Sequence, residues 1–442
     1  MHRQILKLTI PNIISNLTVP LLTIVDLHLM GYLDSAQFMG AVALGGVIFN
    51  IVYWNFGTLR SSVSGLAAQA YGEGDLKQQA MVFYRGLAIA LAGGLLVLCL
   101  QYPLGIASFW LLDGSEAVKS LAANYFFIRI WAAPAAIAMM VLNGWFLGMQ
   151  NARYPMITSL VINGVNIIAS VVLVRVGHLE ERGVALGSVI AQYIGLGLSV
   201  ILFLRKYRAM IPYFSVHAVL ERHHLTRFMR VSGDIYIRTL CLISVFTYFT
   251  SASAGYGDLI LAANTALLQY LLLFSYFLDG FAYAAEALVG RFFGSKDKKK
   301  LREAVNKLFL WGFFFAAIFT AIYGIGGRQF LYLFTDQKEV LDAAQPFILW
   351  ATLFPLASFA SYLWDGIYIG ATASAAMRNT MLFASVCCFF LPYFLLAPYW
   401  GNHALWISMI GYMAGRSLSQ TLLAPRAVFH SSLLSGFIKE KD

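Results

Sequence analysis

Long apolar runs separated by short polar breaks dominate the pattern of hydrophobic and polar positions along the chain. A helix that crosses a bilayer needs about 20 mainly apolar residues at a rise of about 1.5 Å each. Twelve runs reach that length, so the pattern predicts an all-α integral membrane protein with twelve transmembrane helices. The predicted spans are residues 8–33, 42–70, 81–105, 121–148, 153–176, 183–205, 229–254, 259–290, 305–325, 342–370, 377–400 and 402–424.

The composition supports lipid rather than water as the surroundings of the chain. Of the 442 residues, 60% are hydrophobic and 12% are charged, about half the charged share of a soluble globular domain. This imbalance excludes an ordinary soluble enzyme. The 34 Phe, 23 Tyr and 9 Trp residues exclude a disordered or fibrous chain as well.

The charges are distributed unevenly among the loops. The 31 Lys and Arg residues outnumber the 21 Asp and Glu residues, which gives a net charge of +10. Because Lys and Arg in short loops stay on the cytoplasmic side, the asymmetry predicts that both termini are cytoplasmic, and it explains the positive charge without a nucleic-acid partner. The loops predicted to be cytoplasmic hold Lys77, Arg153, Arg205, Lys206, Arg208, Arg222, Arg227, Arg230, Lys296, Lys298, Lys299, Lys300, Arg302 and Arg378.

The two halves of the sequence resemble each other. The stretch AAQAYGEGD after the second span matches VGRFFGSKD after the eighth, so that Asp75 aligns with Asp297. NGWFLG matches DGIYIG at the same offset of 222 residues and aligns Asn143 with Asp365. The repeat predicts two pseudo-symmetric six-helix bundles. The predicted division is an N-lobe at 1–212, a cytoplasmic linker at 213–228 and a C-lobe at 229–442.

Ionisable residues inside the spans are the main candidates for function, because each costs about 2.5 to 3.5 kcal/mol at the bilayer centre. They must be paired, protonated or in contact with water. The predicted set is Asp26, Arg60, Arg129, Asp234, Arg238, Asp279, Glu286, Asp365 and Arg416.

The acids of the second half are predicted to lie in the inner half of the membrane. Asp234 and Arg238 are four residues apart and form a ready i, i+4 ion pair. Asp279 and Glu286 share one helix face, from which they could meet Arg60 or Arg238. Structural or gating ion pairs are the favoured interpretation for this group, with Asp365, and direct handling of protons or substrate stays open.

Asp26 differs from these acids in depth and surroundings. It falls in the outer half of the first span, in an otherwise apolar stretch, which favours a titrating carboxyl that lines a cavity. A carboxyl hydrogen-bonded to a neighbouring helix is the alternative. Pro11 and Pro20 precede it in the same span, and each can kink a helix.

The fifth span carries the uncharged polar residues Asn163, Asn166 and Ser170. Buried amides in lipid need partners, so this face is predicted to look into the bundle, where helix packing is an equally ordinary role. The four cysteines show no disulfide or zinc spacing, and metalloprotease and phosphate-loop motifs are missing. We therefore predict neither an enzyme nor a cofactor nor a metal site.

Several motifs together resemble the multidrug and toxic compound extrusion (MATE) family, in its DNA-damage-inducible protein F (DinF) branch. They are TVPLLTIVDLHLMGYLDS, GVNIIASVVLV with RGVALGSVIAQY, FLDGFAYAAEALVGRFFGSKD, LWDGIYIGATASAAMRNTM and GNHALW. The resemblance implies a twelve-helix transporter of two six-helix lobes forming a V. It also implies export of organic, often cationic or amphipathic, compounds in exchange for protons or sodium.

The resemblance also implies roles for single residues. Asp26 falls on the coupling carboxylate of the family, Pro11 on the bend of its first helix, Asn166 on its span-5 asparagine and Ser188 on its span-6 hydroxyl. We expect a substrate or ion cavity lined by Asn163, Asn166, Ser170 and Ser188. Ser170 stands where relatives carry a second acid, which leaves Asp26 as the only carboxyl of the N-lobe cavity and favours a proton over sodium.

Together these observations predict a monomeric secondary transporter of a bacterial cytoplasmic (inner) membrane. It would exchange a multidrug or metabolite substrate for one proton per cycle by alternating access. The alternative is a lipid-linked precursor flippase, which needs a strongly cationic cavity. Its only candidate cations are Arg60, Arg129, Arg238 and Arg416. An enzyme embedded in the membrane would need a metal or nucleophile constellation, and the sequence offers none.

Overall fold

The computed structural model describes residues 1–31, 36–112 and 115–430, except for the side chains at 19–24, 26–31, 36 and 430. Within these residues the fold is all-helical and contains twelve long helices, which confirms the predicted fold class. The helices are α1 His2–Gly31, α2 Ala36–Glu73, α3 Leu76–Cys99, α4 Glu116–Gly148, α5 Arg153–Arg175, α6 Glu180–Lys206, α7 Arg222–Gly255, α8 Asp258–Gly294, α9 Lys298–Leu331, α10 Lys338–Gly370, α11 Ser374–Trp400 and α12 Asn402–Ala424.

Ten of these helices, α2 to α11, contain a stretch of 18 residues apolar enough to cross a membrane. Several extend beyond the predicted spans, because an apolar run ends before the helix does. Two helices contain a short 3₁₀ turn, Ile130–Ala132 in α4 and Gln345–Phe347 in α10. A π-helical segment, Ala384–Phe390, interrupts α11.

The chain divides into two compact units. The first unit is Ile14–Arg227, and the second is Met1–Ile13 together with Phe228–Asp442. The helix α1 therefore contributes its beginning to the second unit and its remainder to the first. In the second unit, the start of α1 packs on α8, where a Cβ on Gly280 would lie 2.5 Å from Ile13. The predicted lobe and linker boundaries remain a prediction.

Glycine contacts show the internal repeat directly. A Cβ on Gly144 would lie 2.2 Å from the carbonyl oxygen of Arg60, and one on Gly366 would lie 2.2 Å from that of Ala282. Gly144 and Gly366 are 222 residues apart, and so are Arg60 and Ala282. Only glycine allows this close approach between backbones. The helices α2 and α4 of the first unit therefore pack in the same register as α8 and α10 of the second.

The turns repeat as well. Gly74 after α2 and Lys296 after α8, which are 222 residues apart, both have a positive φ. One residue further, the carboxylates of Asp75 and Asp297 accept hydrogen bonds from backbone N–H groups three residues on, each at 3.0 Å, and cap α3 and α9. The repeat predicted from short motifs is thus confirmed in the backbone of both halves.

Candidate functional site

A buried network of uncharged polar side chains joins α5 and α6 in the first unit. The Asn166 side-chain amide donates to the Ser188 hydroxyl at 3.0 Å, and the Ser170 hydroxyl donates to the side-chain oxygen Oδ1 of Asn166 at 3.2 Å. All three residues are buried. The helices approach closely here, since a Cβ on Gly187 would lie 2.6 Å from the Ser170 hydroxyl oxygen. The structure therefore brings together three of the predicted cavity residues.

Asn163 connects α5 to α1 instead of joining this network. Its amide donates to the Thr18 hydroxyl at 2.8 Å, and Thr18 in turn donates to the Ser15 carbonyl oxygen at 2.7 Å. Thr18 precedes Asp26 by eight residues in the same helix. The side chains of Asp26 and Pro20 lie outside the described residues.

Pro11, the other predicted bend residue, is buried in the first part of α1. It belongs to the part of α1 that packs in the second unit, whereas Thr18 belongs to the first unit. The predicted bend region thus coincides with the point where α1 passes from one unit to the other.

Sequence reasoning missed a buried acid of the first unit, Glu181. This residue is 2% exposed, and its recorded ion pair is with Arg182, whose Nε lies 3.7 Å away. It was missed because the predicted span begins at 183, whereas α6 begins at Glu180. An acid in the first turn of a helix is also ordinary, because its negative charge interacts favourably with the positive N-terminal end of the helix dipole. Glu181 therefore joins Asp26 as a carboxyl to be tested in this unit.

The second unit contains a charged network around Asp365 of α10. The Asp365 carboxylate pairs with Arg416 at 2.7 Å and with Arg238, and it accepts a hydrogen bond from Gln420 at 2.8 Å. Arg416 is 1% exposed and lies over the ring of Tyr412. One buried carboxylate is thus held by two guanidinium groups and an amide.

The predicted i, i+4 pair between Asp234 and Arg238 is wrong. Asp234 pairs with Arg378 at 2.6 Å and accepts a hydrogen bond from the Ser374 hydroxyl at 2.8 Å, so both of its oxygens bond to α11. Arg238 pairs with Asp365 instead. The cause is tertiary: side chains of neighbouring helices offer both groups shorter contacts than their own helix does.

Asp279 and Glu286 both lie on α8 in the second unit. Glu286 is 1% exposed, and a Cβ on Gly370 would lie 2.7 Å from its backbone carbonyl oxygen. Asp279 is half-buried and lies in the electrostatic surroundings of Tyr276 and Tyr362. The two acids therefore occupy different environments along one helix.

A further polar cluster of the second unit was not predicted. The amides of Asn264 and Asn402 bond to each other at 2.8 and 3.1 Å, and Ser253 and Trp406 complete the cluster through Asn264. Its sequence signal is two asparagines isolated in apolar runs. Mutual saturation of the two amides indicates a role in helix packing.

Within the described residues, no group of three or more His, Cys, Asp or Glu side chains is arranged to hold a metal ion. What the two units offer chemically is a neutral hydrogen-bond network in the first and compensated ion pairs in the second.

Comparisons with known proteins agree with this architecture. The MatE family model matches residues 11–172 and 235–394. DNA damage-inducible protein F of Escherichia coli K12 is 36% identical over 414 residues, covering 93% of this chain and 89% of that protein. A probable multidrug resistance protein NorM of Rhizobium meliloti is 26% identical, covering 80% of this chain and 78% of its own length.

Solved structures support the same fold. A MATE crystal structure in a bent conformation superposes with a TM-score of 0.85 at 19% identity, covering 98% of this chain and 97% of that one. An outward-facing MATE multidrug resistance transporter gives a TM-score of 0.84 at 16% identity, covering 99% and 96%. The chain therefore belongs to the MATE family of membrane transporters, and it is a transporter rather than an enzyme.

Proposed function

We propose that this protein is a proton-coupled antiporter that exports organic, cationic or amphipathic compounds across a bacterial cytoplasmic membrane by alternating access. Relatives named for multidrug resistance and for multidrug and toxin extrusion support efflux as the activity. The observation that carries the proposal is the uncharged polar bonding of α5 in the first unit: Asn166 bonds to Ser188 of α6, and Asn163 bonds to Thr18 in the helix that holds Asp26.

Asp26 is the proposed proton carrier. A carrier must lose and regain its charge in each cycle, and a carboxyl in apolar surroundings with neutral hydrogen-bond partners can do so at low cost. Asp365 is less suited to this role. Its protonation would leave the buried Arg416 and the partly buried Arg238 without their shared counter-charge.

Pro11 and Pro20 supply the proposed moving part. Each proline removes a backbone donor from α1, so the helix can bend near these positions. Protonation of Asp26 would change its hydrogen bonds and shift α1 relative to the α5 side chains Asn163 and Asn166. In this mechanism the second unit anchors the beginning of α1 and its charged network serves as a structural ion-pair cluster.

A proton is favoured over sodium as the coupling ion. Sodium prefers several hard oxygen ligands, and Ser170 supplies a hydroxyl where a second carboxylate would help to compensate the cation. In the structure this hydroxyl donates to Asn166 and so is engaged within the network. The buried Glu181 is an acid of the first unit that a sodium site could recruit.

A lipid-linked precursor flippase is the less favoured alternative. Such a protein needs arginines available to bind phosphate groups. Arg238 and Arg416 are paired with Asp365, and Arg129 donates to the Tyr125 hydroxyl. The cations available for a phosphate are thus largely engaged within the protein.

Transport by purified protein in vesicles tests the proposal. An imposed pH gradient, with sodium equal on both sides, should drive accumulation of an organic cation dye by the unaltered protein. Asp26→Asn should reduce this transport to the level of protein-free vesicles. The control is Asp258→Asn, which removes an exposed acid at the start of α8 and should transport normally.

A second set of vesicles with a sodium gradient and no pH gradient separates the two ions. The proposal expects no accumulation there. Proton coupling through Asp26 is rejected if Asp26→Asn transports as well as the unaltered protein under the pH gradient.

A further inference from the structure

The segment 207–221, between α6 and α7, is fixed to the first unit rather than loose. The Arg85 side chain of α3, which is 5% exposed, donates to the Ala218 carbonyl oxygen at 2.8 Å. Met210 and Val219 are buried, and the ring of Phe214 meets that of Tyr84 at 4.9 Å. The segment therefore presents a defined outward surface, which we call the linker surface.

Large apolar side chains are exposed on the linker surface. Phe214 is 57% exposed, Val216 61% and Leu220 62%, and Ile211 and Tyr213 are also exposed. They lie in a short 3₁₀ helix, Arg208–Tyr213, and a short α-helix, Val216–Val219, or directly beside them. Apolar groups of this size are unfavourable in water and indicate a surface that is covered in its working environment.

Positive charge surrounds these apolar groups. Residues 205–227 contain five Lys or Arg residues, and Glu221 is their single acidic residue. Arg205, Lys206, Arg208, Arg222 and Arg227 are all exposed. The Lys206 ammonium also lies 5.4 Å from the centre of the Tyr207 ring, within the range of a cation–π contact. The surface thus combines apolar insertion groups with cations at their edge.

The segment lies between two long apolar helices. It follows directly on α6, which ends at Lys206, and precedes α7, which begins at Arg222. Both helices are long and apolar enough to cross the membrane. Fifteen residues between two such helix ends must lie close to the bilayer surface.

We propose that the linker surface docks into the adjoining leaflet, with its apolar side chains at the acyl boundary and its cations bound to the phosphates of anionic phospholipids. A membrane is favoured over a soluble acidic protein because the cations and apolar groups lie beside two membrane-crossing helices. Interfacial segments of this composition bind membranes through both terms, and each Lys or Arg near the surface contributes.

A nitroxide label on Val216→Cys tests where the linker surface lies. The label is placed in the full chain with Cys99, Cys241, Cys387 and Cys388 replaced by serine, and the protein is reconstituted in phosphatidylcholine with or without phosphatidylglycerol. With the anionic lipid, the label should become accessible to oxygen and protected from a water-soluble nickel complex. Equal accessibility to the nickel complex in both lipids overturns the proposal and leaves the surface to a soluble partner.

A label-free measurement keeps the proposal testable if the cysteine substitutions disturb folding. The stabilisation of the otherwise unaltered chain by phosphatidylglycerol is titrated through its thermal unfolding in detergent. Arg208→Gln with Arg222→Gln should weaken the apparent affinity by about fivefold per residue. The matched control, Lys298→Gln with Lys299→Gln, removes two exposed cations at the start of α9, outside the linker surface, and should weaken the affinity less. Equal losses in both pairs would mean that the lipid responds to total charge and would overturn the assignment.

Discussion

Asn143 and Asp365 occupy equivalent positions in the two halves of the chain, each directly before a glycine that contacts the backbone of a neighbouring helix. In the second unit, Asp365 is the centre of an ion-pair network with Arg238 and Arg416. In the first unit, Asn143 carries no charge, and its side-chain oxygen Oδ1 has no hydrogen-bond partner within the described residues. The backbone packing repeats and the electrostatics do not.

This difference follows from what each feature must satisfy. A Cβ at residue 144 or 366 would lie 2.2 Å from a backbone carbonyl oxygen, so the packing of α2 on α4 and of α8 on α10 depends on glycine at both positions. A buried charged side chain needs only a partner of opposite charge, and different residues can supply that partner. We infer that the second unit uses the Asp365 carboxylate for structure, whereas the first unit contains a neutral hydrogen-bond network and the carboxyl proposed to change its charge, Asp26.

The largest expected effect is loss of the counter-charge in the second unit. Asp365→Asn should lower the free energy of unfolding by about 3 to 5 kcal/mol, because two arginines then lack their carboxylate. Thermal unfolding in detergent measures it. Asn143→Leu is the matched change in the first unit and should cost far less. A stable Asp365→Asn protein would contradict the structural role of the network.

The repeated glycines should respond alike in both units. Gly144→Ala and Gly366→Ala should each destabilise the protein by about 3 kcal/mol, at the upper end of overpacking effects, because the new methyl group collides with a backbone carbonyl. Gly164→Ala in α5 is the control: its Cβ would meet nothing within 4 Å, so stability should be unchanged or slightly raised. Very different losses at residues 144 and 366 would contradict the common register.

Disrupting the neutral network should have a small effect on the free energy of unfolding and a large effect on transport. Asn166→Ala should cost about 1 kcal/mol, the usual size of a hydrogen bond between helices in a membrane. Transport driven by a pH gradient should fall much more steeply, because Ser170 and Ser188 lose their shared partner. Unfolding and transport are measured on the same preparation. A loss of stability as large as that of Asp365→Asn would remove the distinction between the units.

The smallest expected effect concerns the two helix caps. Hydrogen bonds from the Lys300 backbone and side chain hold the pKa of Asp297 below its usual range, whereas position 78, equivalent to 300, is Gln. A lowered pKa in the folded state means that the stabilisation is present above the unfolded pKa and is lost as the pH falls through the folded one. Asp297→Asn should therefore remove a small part of the loss of stability in acid, seen in unfolding temperatures measured down through the carboxyl range. An unchanged acid profile would contradict this role of the cap.

The sequence predicts the helices and the repeat well, because both depend on short stretches of consecutive residues. Apolar runs of membrane length identified the twelve long helices of the described residues, and motifs such as NGWFLG and DGIYIG contained the glycines that define the shared register. Asn163, Asn166, Ser170 and Ser188 were predicted to line one cavity. The structure joins the last three by hydrogen bonds and bonds Asn163 to Thr18, and their role in a cavity stays a prediction.

The partners of charged residues were harder to predict, because they depend on neighbouring helices. Helical spacing paired Asp234 with Arg238, but tertiary packing gives Asp234 to Arg378 and Arg238 to Asp365. Glu181 was missed because the apolar run begins at residue 183, whereas the helix begins at Glu180. Local spacing identifies which side chains are near each other along one helix, and it carries no information about what lies across an interface.

Removing the charges of the second unit together shows whether proton coupling depends on them. Arg238→Met with Asp365→Leu and Arg416→Met replaces the network by apolar side chains of similar size, which is often tolerated where a single charge removal is not. Transport of an organic cation dye under an imposed pH gradient is then measured in vesicles. We expect this triple variant to retain pH-driven transport while Asp26→Asn abolishes it. A folded triple variant that has lost pH-driven transport would show that coupling resides in the second unit and would contradict the account.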